Sequence, residues 1–228
     1  MKLTFELTSR DAPGSLDVDL RQLVIAGWTG RDRAAIDHHI AELAMIGVRP
    51  PSDVPLFYRV ASDQLTQAEA IQVVGDKTSG EVEPFVFVAN GQRYVSLASD
   101  HTDRVLEARS VALSKQICAK PVAKKAWRLD EVVAHWDELV VRSFIDDHGS
   151  RVLYQEGRLS ALRTPLDLLA RYFGGEAAIP DGFGMTCGTV GAIGGIRPTA
   201  RFEMELFDPR LDRRIHHAYR IEEIPVIA

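Results

Sequence analysis

Three acidic side chains of this sequence stand next to short apolar runs. Glu81 and Glu83 lie two residues apart at the start of the run 82–88, and Asp100 follows the run 94–97. Alternate residues of a strand point to the same face, so Glu81 and Glu83 would share one side of a strand. If the two runs pair as strands, the three carboxylates can meet.

Three carboxylates supply hard oxygen ligands and leave room for water or substrate oxygens. Ligand sets of this kind suit Mg²⁺ or Mn²⁺, with Ca²⁺ as a further candidate. The alternative is that Glu81 and Glu83 form the solvated face of a half-buried strand, and the spacing by itself favours that alternative. At this point the metal site is a hypothesis.

A histidine and a glutamate on the predicted helix 31–46 could form a catalytic pair. His39 and Glu42 are three residues apart, which brings their side chains within reach of each other on a helix surface. A carboxylate beside an imidazole orients the ring and raises its pKa, which produces a general base for water. The alternative is a solvent-exposed pair worth about 0.2–0.5 kcal/mol, and the spacing alone favours it.

Composition limits the classes of function. The chain has 228 residues, of which 46% are hydrophobic, and its formal net charge is −5 at pH 7. That charge argues against nucleic acid or an anionic membrane as the main partner, and no apolar run is long enough to span a bilayer. The two cysteines, Cys118 and Cys187, lack the spacing of a zinc site or disulfide framework, so we expect a cytoplasmic protein with free thiols.

Hydrophobic periodicity and turn residues predict a β-rich α+β chain. Asn90-Gly91, between two apolar runs, is a strong hairpin signal. Predicted strands span 2–7, 16–20, 22–26, 57–60, 71–74, 82–89, 93–98, 139–145, 152–155, 201–207 and 215–221. Predicted helices span 31–46, 104–116, 129–136 and 165–173. The first three strands predict a small amino-terminal β meander.

Four segments resemble motifs of the fumarylacetoacetate hydrolase superfamily, in the order and at the spacing of that family. They cover roughly residues 20–220, and we therefore identify the chain as an outlying member. The segments are 35–60 ("NYxxHxxE…PxxFxK"), 79–88 ("EVELxxVIG"), 99–104 ("xDxTxRD", followed by Lys115 where the family has "GKxxD") and 182–191 ("PGDxIxxGTPxGVG").

The resemblance implies a fold and an organisation. We expect a fumarylacetoacetate-hydrolase-like rolled mixed sheet, with residues 1–28 as the meander and residues 29–228 as one compact catalytic domain. It also implies a homodimer.

The resemblance implies roles for individual residues as well. Glu81, Glu83 and Asp100 become ligands of Mg²⁺ or Mn²⁺. His39 and Glu42 become the water-activating pair, on a segment near 27–48 that closes over substrate. The expected substrate contacts are Arg59, His101, Lys115, Gly188 and Thr189. Lys115 and Thr189 are also expected to assist the reaction.

The expected substrate is a small 2-oxo acid or 1,3-dicarbonyl compound, and the expected reaction is hydrolysis of a C–C bond, as with an acylpyruvate or fumarylacetoacetate. A second candidate uses the same stabilised enolate for decarboxylation, dehydration or isomerisation of an oxo acid. A third, of another class, is a non-catalytic protein that binds a metabolite.

Several positions depart from the family pattern or lie outside it. Pro84 is unusual for a central strand and predicts an edge or a bulge. His101 stands where the family has an apolar residue, which predicts a pocket of different polarity.

His216 and His217 are neighbours on a predicted strand, so only one of them can face a given side. The segment 120–125 is interpreted as a short basic loop, too small for a nucleic-acid footprint.

Overall fold

A computed structural model describes residues 1–9, 13–45, 50–175 and 179–227, except the side chains of residues 39, 42 and 43. Its strands, in chain order, are β1 (Lys2–Leu7), β2 (Gly14–Asp19), β3 (Gln22–Gly27), β4 (Leu56–Val60), β5 (Leu65–Thr66), β6 (Ala70–Val74), β7 (Thr78–Ser79), β8 (Val82–Ala89), β9 (Gln92–Ser99), β10 (Thr102–Asp103), β11 (Lys120–Pro121), β12 (Lys125–Arg128), β13 (Val140–Asp147), β14 (Ser150–Arg158), β15 (Phe183–Thr186), β16 (Arg201–Asp208) and β17 (Arg213–Ile224).

Helices are few, as the sequence predicts. The α-helices are α1 (Arg33–Met45), α2 (Arg104–Glu107), α3 (Val111–Ile117) and α4 (Pro165–Phe173). The 3₁₀-helices are Ser62–Gln64, Leu129–Glu131, Val133–Glu138 and Leu159–Ala161. None of the described helices has the length and hydropathy needed to cross a membrane.

The larger sheet is mixed and rolled. Its eight strands run in the order β2-β1-β12-β9-β8-β15-β3-β4, with parallel pairs at β1–β12 and β15–β3. The rings of Phe5 on β1 and Phe87 on β8 stack with their centroids 4.3 Å apart, although two strands separate β1 from β8. The sheet therefore curls, and its concave face encloses one apolar core. This confirms the predicted rolled sheet.

A second sheet covers the other face. Its five strands run in the order β14-β13-β16-β17-β6. Met204 and Leu206 of β16 lie in the same buried cluster as Val86 of β8 and Val95 of β9. The main core is therefore formed between the two sheets, which buries β8 and β9 on both faces.

The amino-terminal strands do not form the predicted three-strand meander. Strands β1 and β2 pair as a hairpin, but β3 lies near the opposite end of the sheet, between β15 and β4. The four central residues of β3, 23–26, are all buried, and such a strand requires neighbours on both edges and cover on both faces. The domain boundary at residue 28 stays a prediction, since β1 to β3 share the larger sheet with β8 and β9.

Two predicted helices differ from the structure. The predicted helix 104–116 is divided into α2 and α3, because Ser110 caps a new helix by accepting a hydrogen bond from the backbone N–H of Leu113. The segment 129–136 forms 3₁₀-helices instead of one α-helix. By contrast, α4 agrees with its prediction, with Thr164 as its N-cap and Gly174 at its end in the left-handed conformation.

The β8–β9 hairpin fixes the position of the acidic residues. Asn90 and Gly91 both have positive φ, 52° and 68°, as a tight hairpin turn requires. Pro84 does not mark an edge strand, because β8 lies between β9 and β15. Pairing with β15 begins only at Phe85, so no ladder bond to β15 is lost at the proline.

Candidate active site

The hairpin brings the three predicted carboxylates together. Val82 pairs with Ser99, so Glu81 and Asp100 lie opposite each other just beyond the ladder, and the Asp100 N–H donates to the Glu81 carbonyl at 3.0 Å. One carboxylate oxygen from each of Glu81, Glu83 and Asp100 lies within 4.8 Å of the others. Among the described residues, this is the one group of acidic, histidine or cysteine side chains with that geometry.

Asp100 is held between two buried lysines. Its Oδ2 forms an ion pair with Lys115 Nζ, and its Oδ1 lies 3.3 Å from Lys120 Nζ. Burial alone would raise the pKa of Asp100, but the two adjacent ammonium groups lower it. Burial likewise disfavours the charged form of Lys115, and the Asp100 carboxylate outweighs this and raises the Lys115 pKa. Both groups are therefore charged near neutral pH.

Glu83 has a different electrostatic environment. It is buried, and its Oε2 accepts a hydrogen bond from the Gly188 N–H at 2.9 Å. Burial and then the neighbouring Asp100 carboxylate raise the pKa of Glu83 to about 8. In the absence of a cation, Glu83 therefore holds a proton over much of the neutral range, which lowers the repulsion among the three carboxyl groups.

Arg104 neutralises the charge of the third carboxylate, Glu81. Its Nη2 lies 3.1 Å from Glu81 Oε1, and its Nη1 donates to Glu107 Oε2 at 2.8 Å. The Nε of Arg104 also donates to Ser79 Oγ at 2.7 Å, which fixes the plane of the guanidinium group. Glu81 is the most exposed of the three acidic residues, so it faces the opening of the site.

Two of the three carboxylates, Glu81 and Glu83, line one wall of a cavity of about 850 Å³. Of the other predicted site residues, Lys115, Gly188 and Thr189 also line this cavity. Asp100 lies directly behind them and is fully buried. The cavity is large enough for a small organic acid together with a cation.

Thr189 has its hydroxyl fixed by neighbouring groups. Its Oγ1 donates to the Val82 carbonyl at 2.7 Å and accepts from Gln155 Nε2 at 2.8 Å. Gln155 is buried, and its Oε1 also accepts from the Val82 N–H at 3.1 Å. Gln155 therefore links the strand that carries Glu83 to the segment that carries Thr189.

Two predicted substrate contacts lie elsewhere. His101 is fully buried behind the carboxylates, with Nδ1 3.0 Å from Tyr219 Oη and Nε2 2.9 Å from Thr78 Oγ1. Burial, and then the cations Lys120 and Arg104, lower the pKa of His101 to about 3, so the ring is neutral. Because both ring nitrogens are hydrogen-bonded to protein groups, His101 has no ring nitrogen free to bind a substrate.

Arg59 is exposed on β4, and it is Tyr58 that lines the cavity in its place. Side chains alternate along a strand, so only one of two neighbours can face the cavity. The Lys115 Nζ lies 5.8 Å from the centre of the Tyr58 ring. Arg59 Nη1 instead lies 3.4 Å from Tyr172 Oη. Arg59 therefore points away from the cavity in which a substrate would bind.

The predicted catalytic pair belongs to α1, whose first turn borders the cavity. Asp32, Ala35 and Ile36, at the start of α1, line the cavity. The side chains of His39 and Glu42 lie outside the described part of the chain, as do residues 46–49. Their roles, and the closure of the segment 27–48, stay predictions.

Three residues that the sequence did not single out belong to the site. Arg104 pairs with Glu81, Gln155 anchors Thr189, and Lys120 neutralises Asp100. Lys120 belongs to β11 and not to the predicted short basic loop; it is fully buried and donates to the His101 carbonyl at 2.5 Å. Its sequence signal is weak: a single lysine in front of the apolar stretch 121–123.

A substitution of Gly188 tests how tightly the backbone packs at this site. Its φ of +90° is unfavourable for other residues, and a Cβ there would lie 1.8 Å from Thr29 Oγ1. We expect Gly188→Ala to lower the free energy of unfolding by at least about 1–3 kcal/mol, as measured by urea denaturation. Gly191→Ala is the matched control, because a Cβ at Gly191 has no neighbour within 4 Å among the described atoms. Equal stability of the two variants would contradict the observed packing.

Known structures place this fold in a class. The chain has the fold of the fumarylacetoacetate hydrolase superfamily, as the sequence motifs predicted. It is similar to yeast ynq8, a fumarylacetoacetate hydrolase family protein, at 15% identity and a TM-score of 0.64, over 92% of this chain and 96% of that one. It is also similar to Cg1458 with inhibitor, at 14% identity and a TM-score of 0.67, over 91% and 78% of the two chains.

A third similar structure is that of 2-keto-3-deoxy-D-arabinonate dehydratase complexed with magnesium and 2,5-dioxopentanoate. The identity is 17% and the TM-score 0.64, over 91% of this chain and 75% of that one. No curated protein matches the sequence. The chain belongs to the family described as "Protein of unknown function (DUF2848)", whose sequence model matches residues 26–219.

Proposed function

We propose that this protein is a divalent-metal-dependent enzyme that acts on a small 2-oxo acid or 1,3-dicarbonyl compound, with hydrolysis of a C–C bond as its reaction. The observation that carries the proposal is the convergence of Glu81, Glu83 and Asp100 beside a cavity that Glu81, Glu83 and Lys115 line. The magnesium complex of a similarly folded dehydratase supports the choice of a divalent cation.

The donor set fits such a cation. Glu81, Glu83 and Asp100 would hold the cation through hard oxygen ligands, and Glu81 and Glu83 line the cavity that a substrate would enter. Mg²⁺ and Mn²⁺ are the preferred candidates, with Ca²⁺ as a third. When bound, the cation would polarise adjacent substrate oxygens and offset negative charge that develops on them. Lys115 and Lys120 keep Asp100 ionised and therefore available as a ligand.

Lys115 and Thr189 would act on the substrate directly. Lys115 is charged, so it serves as an electrostatic contact for a substrate carboxylate or a developing enolate, not as a Schiff-base nucleophile. Thr189 is held beside the same wall, and its hydroxyl can orient a substrate oxygen once the substrate displaces one of its present partners. Gly188 contributes by its backbone, which positions Glu83.

His39 and Glu42 would supply the proton chemistry. In this proposal His39 takes a proton from water, which attacks the distal carbonyl carbon, and Glu42 orients the imidazole and stabilises its protonated form. The bond between the attacked carbon and the neighbouring carbon then breaks. The electron pair remains on the departing fragment as an enolate, which Lys115 stabilises until the protonated His39 returns its proton to the enolate carbon.

The proposal is tested by turnover. Purified protein with Mg²⁺ or Mn²⁺ is supplied with an acylpyruvate and, separately, with oxaloacetate, and the products are measured. We expect hydrolysis of the acylpyruvate that stops on metal chelation and returns with added metal. Turnover of oxaloacetate alone would favour the second candidate, an oxo-acid decarboxylase, dehydratase or isomerase. Binding of oxalate without turnover of either compound would favour a metabolite-binding protein.

Metal affinity should depend on pH through Glu83. Only the ionised carboxylate binds a cation, and the pKa of Glu83 is raised to about 8 in the cation-free protein. Below that value the metal must displace a proton, so we expect the affinity for Mn²⁺ to rise by about tenfold per pH unit from pH 6 to pH 8 and then level off. Calorimetry in buffers of different ionisation enthalpy would measure about one proton released per ion at pH 6.5.

A Glu83→Gln variant is the control for this pH dependence. It should bind Mn²⁺ more weakly, with a nearly flat profile over the same range. A steep profile that persists in this variant would assign the proton to another group.

The homodimer and the cytoplasmic location stay predictions, to be tested by sedimentation and by cell fractionation.

A further inference from the structure

The cavity beside the carboxylates is larger than the smallest 2-oxo acids require. Its volume of about 850 Å³ lies in the upper part of the range, about 300–1,000 Å³, that holds drug-sized ligands. A short oxo acid and its cation would occupy the polar part, which Glu81, Glu83 and Lys115 line. The rest of the cavity is therefore available to a longer substituent of the substrate.

The rest of the lining is mainly apolar. Its large side chains are Trp28, Ile36, Tyr58, Leu162, Val190 and Ile196. Ile196 is 56% exposed, so an apolar group that covered it would remove apolar surface from water. The composition of this lining favours an aliphatic or aromatic substituent.

One segment connects the polar part of the cavity to the apolar part. The Gly188 N–H donates to Glu83 at 2.9 Å, and Val190 and Ile196 follow Gly188 along the chain. Gln155 Nε2 donates to the Val190 carbonyl at 2.6 Å, which holds the segment beside the site. An oxo acid bound at Glu83 would therefore reach these apolar side chains with its distal group.

A second segment brings Trp28, Ile36 and Leu162 together. Gly30 pairs with Leu162 as an isolated β-bridge, and a Cβ at Gly30 would lie 3.3 Å from Ile36 Cδ1. Trp28 stands two residues before this bridge and has a positive φ of 59°. Glycine adopts such a conformation without strain, whereas a bulky side chain does not. Strain of this kind clusters at ligand sites, which supports a binding role for the indole of Trp28.

The charges of the lining favour a substrate with one carboxylate. Among the described lining residues the cations are Arg104 and Lys115, and the carboxylates are Asp32, Glu81, Glu83 and Glu107. Arg104 already pairs with Glu81 and Glu107. Lys115 would therefore be left for the carboxylate of the 2-oxo acid. A second carboxylate in the apolar part would lose its hydration without gaining a cationic partner there among these residues.

We propose that the substrate is a 2-oxo acid with one carboxylate and an apolar distal group, either branched alkyl or aryl, and that Trp28 and Ile196 contact this group. The inference rests on the proposed function, because it places the 2-oxo acid beside Glu81, Glu83 and Lys115. It narrows the substrates to those with an apolar acyl group and disfavours those with a distal carboxylate.

The first test compares two ligands of similar shape. 2-Oxoglutarate and 5-methyl-2-oxohexanoate have the same 2-oxo acid head, and one ends in a carboxylate where the other ends in an isopropyl group. Calorimetry is done with saturating Mn²⁺, and pyruvate gives the affinity of the head alone. We expect 5-methyl-2-oxohexanoate to bind at least about tenfold more tightly than either other ligand. Equal affinities, or tighter binding of 2-oxoglutarate or pyruvate, would overturn the inference.

The variant Trp28→Gly tests the contact with the distal group. Glycine suits the positive φ at this position, so the substitution removes the indole without straining the backbone. We expect the affinity for 5-methyl-2-oxohexanoate to fall by about tenfold and the affinity for pyruvate to stay unchanged. A parallel loss for both ligands, or no loss for either, would contradict a contact with the distal group.

Two isoleucines of one segment provide a matched pair of variants. Ile196 and Ile193 are 56% and 49% exposed, but only Ile196 lines the cavity. Ile196→Ala should weaken the binding of 5-methyl-2-oxohexanoate by about threefold or more, and Ile193→Ala should leave it unchanged. Equal effects of the two substitutions would place the distal group elsewhere.

Turnover distinguishes failure of this inference from failure of the proposed function. We expect 4-methylpentanoylpyruvate to be hydrolysed with a kcat/KM at least about tenfold above that of succinylpyruvate, which carries a distal carboxylate. Hydrolysis of both compounds without this preference would overturn the inference and leave the proposed function. Selective binding of 5-methyl-2-oxohexanoate without hydrolysis of either compound would support the inferred ligand and overturn the proposed reaction. No binding of any of the three oxo acids would overturn both.

Discussion

The variant Asp100→Asn is expected to lose metal binding and to lower the free energy of unfolding by about 3–5 kcal/mol. Lys115 and Lys120 both pair with this carboxylate, and both are buried. An amide in its place would leave the fully buried Lys120 without its carboxylate partner and would deprive Lys115 of its nearest one. Urea denaturation gives the change in stability, and Mn²⁺ titration monitored by electron paramagnetic resonance gives the change in binding.

Two further variants separate the electrostatic effect from a general disturbance. Glu81→Gln should also weaken metal binding, but it should lose less stability, because Glu81 is partly exposed and pairs with one arginine. The double variant Asp100→Asn/Lys120→Met should recover part of the stability, since it removes one of the uncompensated charges. Wild-type stability of Asp100→Asn, or no recovery in the double variant, would contradict the buried charge cluster.

The variant His39→Ala is expected to lower hydrolytic turnover by about 10²- to 10⁴-fold, the usual contribution of a general base. Metal affinity should be unchanged, because His39 is not among the proposed ligands. Steady-state kinetics with an acylpyruvate and Mn²⁺ titration measure the two quantities. His38→Ala is the matched control, since it changes the adjacent residue of the same helix and should retain turnover.

Other outcomes of this experiment identify the alternatives. Hydrolysis at the parental rate in His39→Ala would remove the His39–Glu42 pair from the mechanism, and decarboxylation or isomerisation would become the better account. A parent without turnover, whose affinity for oxalate is unchanged by the substitution, would support a metabolite-binding protein.

Local features of the fold could be predicted from the sequence because they depend on neighbouring residues. The hairpin at Asn90-Gly91 follows from the ability of both residues to adopt positive φ. The helix α4 follows from its capping residue and the glycine that ends it. The position of β3 could not be predicted in this way, because a continuous apolar run shows that a strand is buried but not which strands lie beside it.

The candidate site, like the fold, could be predicted from the sequence only in part. The spacing of Glu81 and Glu83 placed them on one side of a strand, and the hairpin then brought Asp100 opposite Glu81. The environment of each carboxylate was not visible in the sequence. Asp100 has two buried lysines beside it, whereas Glu83 is buried near another carboxylate, so their pKa values shift in opposite directions.

By itself, the sequence determined the carboxylate-bearing hairpin, the β-rich class and the resemblance to the fumarylacetoacetate hydrolase superfamily. Only the tertiary structure decided which polar residues enter the cavity: Tyr58 in place of Arg59, and Lys115 but not His101. Only the tertiary structure also revealed the burial of Lys120. Periodicity fixes the face to which a side chain points, but its charge partners come from strands distant in sequence.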